Sequence, residues 1–225
     1  EKARRAGMTI VFFNGRLSHR SIRAYMKIRP LLKPVLEHVD AFSMISDADA
    51  RRIIALGAPS QRVVVNGNVK NDVRVADQQG DAHSRFKRLF AVGERTPVFI
   101  GGSVRRDEVV MMLDVFERLA GQVPGLLCII APRHLETAFM IERLARERGI
   151  ACQRRSELGK AGQERTAQLI ILDTIGELRD VYGIATVVFG GASLVPLGGQ
   201  NVLEAAAWGK PVLFGPHMDD FSDAR

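Results

Sequence analysis

The stretch VVFGGASLVPLGGQNVLEAAAWGKPVLFGP, from Val187 to Pro216, decides how the rest of the chain is read. Val187–Phe189 is a short apolar run of the kind a buried parallel strand carries. Gly190, Gly191, Gly198 and Gly199 punctuate the loop after it, with Ser193 among them. Asn201 and Glu204 open a helix, Trp208-Gly209 closes it, and Pro211–Phe214 is the next strand. Glycine lets backbone N–H groups come close to a ligand, and a helix N-terminus favours negative charge. This order is how α/β proteins hold a nucleotide phosphate at the carboxyl ends of their strands. Two plainer readings stand beside it. The glycines also suit tight strand-to-helix turns. The N-x-x-E spacing of Asn201 and Glu204 also fits a capping box with Asn in place of Ser or Thr.

The same rhythm extends in both directions. Met8–Asn14, Ala41–Ser46 and Arg62–Asn66 read as strands. Ser18–Ile28, a segment between Pro30 and His38, and Ala48–Leu56, capped by Asp47 and ended by Gly57, read as helices. Residues 75–95 are polar, hold a short helix around Ala82–Phe90, and are read as a linker. A second run follows, with strands at Pro97–Gly101, Leu126–Ala131, Ala151–Arg154 and Leu169–Leu172, and helices at Asp107–Ala120, Glu136–Arg148 and after Asp173. The expected class is α/β with two successive doubly wound parallel sheets. Residues 1–74 form the end of a first domain and residues 96–225 form a second.

Composition narrows the function. The chain of 225 residues is 46% hydrophobic and has a net charge of +7. Residues 1–74 hold 14 Lys/Arg against 6 Asp/Glu, so the positive field belongs to the first third. Such a block suits an anionic partner: a nucleic acid, a phospholipid surface or a phosphorylated acceptor, or else a solvated face. Arg16, Arg20, Arg23 and Lys27 fall at helical spacing and are expected to form one basic stripe. No apolar run is long enough for a membrane span. Cys128 and Cys152 are unpatterned, and the five His show no ligand spacing, so no metal site is expected.

Three further strand exits carry residues suited to an anionic ligand. Ser103 lies in GGS, Arg133 in Pro132-Arg133-His134, and Thr174 and Gly176 in DTIGE. Arginine offers a rigid fork to phosphate, although a strand-end Arg is also an ordinary surface residue. DTIGE also reads as plain N-capping by Asp173 or Thr174. Lys70, in GNVKND, follows the last strand of the first half.

Taken together, FNGRLSHRS, SDADARRIIALGAPSQRVVVNGNVKND, APRH, DTIGEL and GGASLVPLGGQNVLEAAAWGKPVLFGPHMDDF resemble, in order and along nearly all of the chain, the 3-deoxy-D-manno-octulosonic acid (Kdo) transferases. These are bacterial glycosyltransferases with two Rossmann-like domains, the GT-B type. The resemblance implies transfer of Kdo, with inversion and without a metal or other cofactor, from CMP-Kdo to a lipid A precursor. Pro132 and Arg133 would contact CMP. Ile175, Gly176 and Glu177 would line the nucleotide, and Asn201, Val202, Leu203 and Glu204 would hold it from the helix opening. Ser103, Gly190, Gly191 and Ser193 would complete the donor site, with Gly190–Gly199 as its floor. Lys70 matches a lysine that offsets charge in the transition state.

The family's general-base glutamate is expected to lie before Glu1. The piece is therefore expected to be interior to a longer protein and to bind nucleotide without turning over. Arg105 stands where His is common, and Gln200 replaces a His in the glycine loop, both bearing on sugar contacts. The basic stripe would meet the inner membrane at its cytoplasmic face, and no nucleic acid is expected. The alternatives are another GT-B enzyme that uses a UDP-sugar, such as a transferase or epimerase, and a basic module that binds nucleic acid.

Overall fold

The computed structural model describes residues 2–69, 79–159 and 163–224. The chain divides into two compact units, Glu1–Val73 and Arg74–Arg225.

The first unit holds helix α1 (Lys2–Arg5), strand β1 (Val11–Gly15), helices α2 (His19–Lys27) and α3 (Arg29–Leu36), strand β2 (Ala41–Met44), helix α4 (Asp47–Leu56) and strand β3 (Val63–Val65). The three strands form a parallel sheet in the order β1-β2-β3. Phe42, Met44, Ile53 and Leu56 fill its core. The expected N-cap of α4 was Asp47. Ser46 takes that position, because it alone keeps an extended backbone and its Oγ accepts the N–H of Asp49. Gly57 ends α4 at φ 118°, as the sequence predicts. Asp49 is buried and accepts the Leu17 N–H at 2.7 Å, which ties the exit of β1 to α4.

MTIVFFN reads as a strand covered on both faces, yet Val11 and Phe13 are 54% and 66% exposed. Among the described residues β1 pairs with β2 on one side only. Arg16 precedes Ser18, the N-cap of α2, so it lies outside the helix that carries Arg23 and Lys27.

The second unit opens with helix α5 (Gln79–Leu89), which covers most of the short helix expected around Ala82–Phe90 within the polar stretch 75–95. Phe86 and Phe90, at i and i+4, are fully buried in this unit's core. Strand β4 (Val98–Val104), helix α6 (Val109–Gln122), strand β5 (Leu127–Pro132), helix α7 (Thr137–Glu147), strand β6 (Cys152–Arg154), strand β7 (Leu169–Ile171), helix α8 (Leu178–Val181), strand β8 (Val187–Gly190), helix α9 (Leu203–Ala206) and strand β9 (Val212–Phe214) follow. The six strands form one parallel sheet in the order β6-β7-β5-β4-β8-β9. β4 and β5 are apolar throughout because helices cover both faces. Val98, Ile100, Leu127 and Ile129 pack on the α5 side, and Phe99, Cys128 and Ile130 pack on the α6–α7 side. The expected α/β class with two successive parallel sheets is what the structure has. Among the described residues no helix is long and apolar enough to cross a membrane.

Candidate functional site

Strand order reverses across β4. β5, β7 and β6 lie on one side of it, and β8 and β9 lie on the other. In open α/β sheets the crevice at such a reversal, beyond the carboxyl ends of the strands, is where ligands bind. Here the two sides of β4 differ.

On the β5–β7 side a cavity of about 570 Å³ opens over the strand ends. It brings together six of the residues picked from sequence: Ser103 from β4, Pro132 at the end of β5 and Arg133 just after it, and Thr174, Ile175 and Gly176 after β7. Ser103 holds a left-handed backbone at φ 54°, an uncommon conformation for a residue with a Cβ, at the point where β4 turns outward. The Arg133 backbone N–H donates to the Val104 carbonyl at 2.9 Å, which fixes the β5 exit against β4. Its guanidinium is exposed and takes no hydrogen bond or ion pair among the described residues. Its neighbour His134 is engaged, with Nε2 3.0 Å from Nη1 of Arg105. Arg105 therefore stands at the rim through His134. Gly176 adopts φ 84° with open space where a Cβ would stand, and Ile175 is 84% exposed at the loop tip.

Glu177 closes the same loop, but its carboxylate is committed within the protein. Oε1 accepts Arg155 Nη2 at 2.8 Å and Arg85 Nη2 at 2.9 Å, and Oε2 accepts the Thr174 hydroxyl at 2.5 Å. The structure thus places Glu177 behind the cavity wall, as its anchor.

On the β8 side three amides of the glycine loop, those of Ala192, Ser193 and Leu194, point at a carboxylate of the chain itself. It belongs to Glu108, at the start of α6 and 0% exposed. Its Oε2 accepts the N–H of Ala192 at 2.7 Å and of Arg105 at 3.0 Å, and its Oε1 accepts the N–H of Ser193 and of Leu194, both at 3.0 Å. Successive amides pointed at one carboxylate make an anion nest, and this nest is filled from within the chain. Gly190, Gly191 and Ser193, expected on the floor of a nucleotide site, are buried here. A Cβ on Gly191 would stand 2.5 Å from the Ser103 carbonyl oxygen, and one on Gly190 2.8 Å from Val202. Ser193 is 0% exposed and its Oγ takes the Gly215 N–H at 2.8 Å. Close packing of turns accounts for Gly190 and Gly191, because the β4 and β8 exits come too near there for side chains.

Asn201 and Glu204 bond to each other, Nδ2 to Oε1 at 3.2 Å, and Asn201 Oδ1 caps the Leu203 N–H at 3.1 Å. Val202 is buried and, with Leu203 and the pair itself, lies on the β8 side, outside the cavity lining. The capping reading accounts for all of these contacts. Lys70 lies outside the described residues. Glu108, Arg85 and Arg155 were not picked from sequence; the only hint was a pair of acids, Asp107-Glu108, at the exit of β4. Among the described residues no group of three or more His, Cys, Asp or Glu side chains could hold a metal ion.

Residues 1–73 match the family model of 3-deoxy-D-manno-octulosonic-acid transferases (kdotransferases). A bifunctional glycosyltransferase/methyltransferase of Fusobacterium nucleatum is 35% identical over 95% of this chain and 33% of its own length. The 3-deoxy-D-manno-octulosonic acid transferase of Haemophilus influenzae is 30% identical over 95% of this chain and 49% of its own. The chain thus spans half or less of these relatives. Among solved structures, the C-terminal CMP-Kdo binding domain of WaaA from Acinetobacter baumannii is 26% identical, with a TM-score of 0.57 over 65% of this chain and 74% of that one. Anabaena Alr3699/HepE in complex with UDP is 15% identical with a TM-score of 0.54 over 96% of this chain and 57% of that one, a likeness of fold.

Proposed function

We propose, for a chain whose residues 1–73 belong to the 3-deoxy-D-manno-octulosonic acid transferase family and whose remainder is related to the same enzymes, that its second unit binds CMP-Kdo as the donor half of a Kdo transferase. The observation that carries this is the unpartnered Arg133 guanidinium at a cavity built by the exits of β4, β5 and β7. A planar cation without a partner among the described residues, beside the backbone of Thr174–Gly176, suits a nucleoside monophosphate: the guanidinium takes the phosphate and the loop takes the nucleoside.

In the reaction proposed for the whole protein, an acceptor hydroxyl gives its proton to a general base and attacks the anomeric carbon of Kdo. The bond from that carbon to the CMP phosphate oxygen breaks, and CMP leaves. Arg133 stabilises the charge that grows on the departing phosphate, and Lys70 is proposed to share that task. Contact of Asn201 or Glu204 with the ribose would require their mutual hydrogen bond to open. The acceptor is proposed to be a phosphorylated lipid A precursor, approached at the cytoplasmic face of the inner membrane, with Arg23 and Lys27 of α2 as cationic contacts to the lipid surface.

Thermal melting with CMP against UDP tests the donor reading. CMP at a hundred times its Kd should stabilise the second unit by about 2.7 kcal/mol, and UDP much less. A reversed preference favours a UDP-sugar enzyme. Vesicle co-sedimentation at low salt tests the lipid contact: with Arg23→Glu and Lys27→Glu together, binding to anionic vesicles should fall, and unchanged binding rejects that role.

A further inference from the structure

Residues 155 and 156 line no part of the cavity, yet they hold both ends of the loop that forms one of its walls. Ser156 binds the start of the loop: its N–H donates to Asp173 Oδ1 at 2.8 Å and its hydroxyl to Oδ2 at 2.6 Å. Arg155 binds the end through the 2.8 Å pair with Glu177, in which the two side chains are only 13% and 17% exposed. Glu177 in turn holds Thr174 from inside the loop. Only the tip, Thr174–Gly176, is left facing the cavity, and its conformation is left-handed at Gly176.

Arg155 carries a cost for this. Its Nε is buried without a hydrogen-bond partner among the described residues, and a buried donor left unpaired is destabilising. An orphaned buried donor of this kind calls for an explanation. The fork's other end reaches Glu177 and the Leu158 carbonyl, so the side chain is stretched between the turn it stands on and the loop it braces.

We propose that Arg155 and Ser156 are positioning residues for the nucleotide pocket. They set the backbone of Thr174–Gly176 so that its N–H and C=O groups, and not the Glu177 carboxylate, face the nucleoside. The nucleoside part of this rests on the donor reading above; the brace itself does not. A carboxylate offers about four acceptor sites, and three donors already occupy Glu177. That leaves about one site for a base or ribose, on a carboxylate whose position is already set by Arg85, Arg155 and Thr174.

The test separates the two layers. Hydrogen exchange on the ligand-free chain reads the brace, and calorimetric titration with CMP reads its consequence. In Arg155→Met the amides of residues 174–177 should exchange about tenfold faster, with β4 and β5 unchanged. CMP affinity should fall about tenfold, as expected when a binding wall shifts by a fraction of an ångström. Ser156→Ala should do the same in smaller measure. Ser156→Thr, which keeps the hydroxyl, should restore wild-type behaviour. Unchanged exchange at residues 174–177 in Arg155→Met overturns the brace. Faster exchange with unaltered CMP affinity reduces Arg155 to a structural residue and overturns the positioning role. If the wild-type chain does not take CMP while the loop still loosens, the donor reading has failed and the brace stands.

Discussion

The N–H of Ser193 donates to Oε1 of Glu108 at 3.0 Å, across 85 residues of chain. That contact is one of four that gather the exits of β4 and β8 around a single buried carboxylate. Removing it strands the donors. Glu108→Ala should cost about 3 kcal/mol or more, because buried N–H groups would lose a charged acceptor. Glu108→Gln should cost less, about 1–3 kcal/mol, since one amide oxygen remains to accept. Urea unfolding measures both, and near-neutral values would mean that the nest finds water instead.

The two kinds of glycine in these loops should behave differently. Gly191→Ala drives a Cβ to within 2.5 Å of a backbone oxygen, and main chain cannot step aside as a side chain can. A loss of about 1–3 kcal/mol is expected. Gly176→Ala meets open space and carries only the left-handed strain of φ 84°, about 1 kcal/mol. Equal losses in urea titrations would show that backbone contact is not what holds the β4 and β8 exits together.

Stability should decline in alkali. Burial pushes the Cys128 thiol from its ordinary 9.0 up to about 12, and burial together with the nearby Glu204 raises the Tyr182 hydroxyl. Each raised group favours the protonated folded form. Its contribution is complete below the unfolded value and is lost as pH rises toward the folded one. For Cys128 that window runs from about pH 9 to about pH 12, with a slope of about 1.4 kcal/mol per pH unit. Melting temperature followed from pH 8 to 10.5 should fall, and Cys128→Ala should flatten the slope. Alkylation gives a second check. Native Cys128 should resist iodoacetamide at pH 8.5, Cys152 should react slowly because burial also raises its thiol, and both should label in urea.

Much of the fold was legible because β4 and β5 are runs that only a sheet covered on both faces tolerates, and because glycine and proline mark the exits. Helix bounds slipped where one-turn 3₁₀ segments, Arg106–Glu108 and Tyr182–Ile184, stand at helix ends. The helix around Ala82–Phe90 was legible within its polar stretch, but its packing was not, because the partners of Phe86 and Phe90 lie in other parts of the chain. The site divided along the same line. Pro132, Arg133, Ile175 and Gly176 were visible as strand exits, a local feature. The role of Glu177 was not, since its partners Arg85 and Arg155 stand 92 and 22 residues away in sequence. Nor did the glycine loop reveal that its amides already had an anion in Glu108.

Calorimetric titration of the chain with CMP, alongside Arg133→Ala and with UDP as the competing nucleotide, tests the donor site most directly. Arg133 is exposed and unpartnered, so its removal should leave the melting temperature unchanged. Loss of one charged hydrogen-bonding partner is worth about 1.5–3 kcal/mol, so CMP affinity should fall about tenfold to a hundredfold. Saturable CMP binding that weakens in this way, with UDP binding poorly, is the predicted result. Equal CMP affinity in both proteins, or tighter binding of UDP, would contradict it.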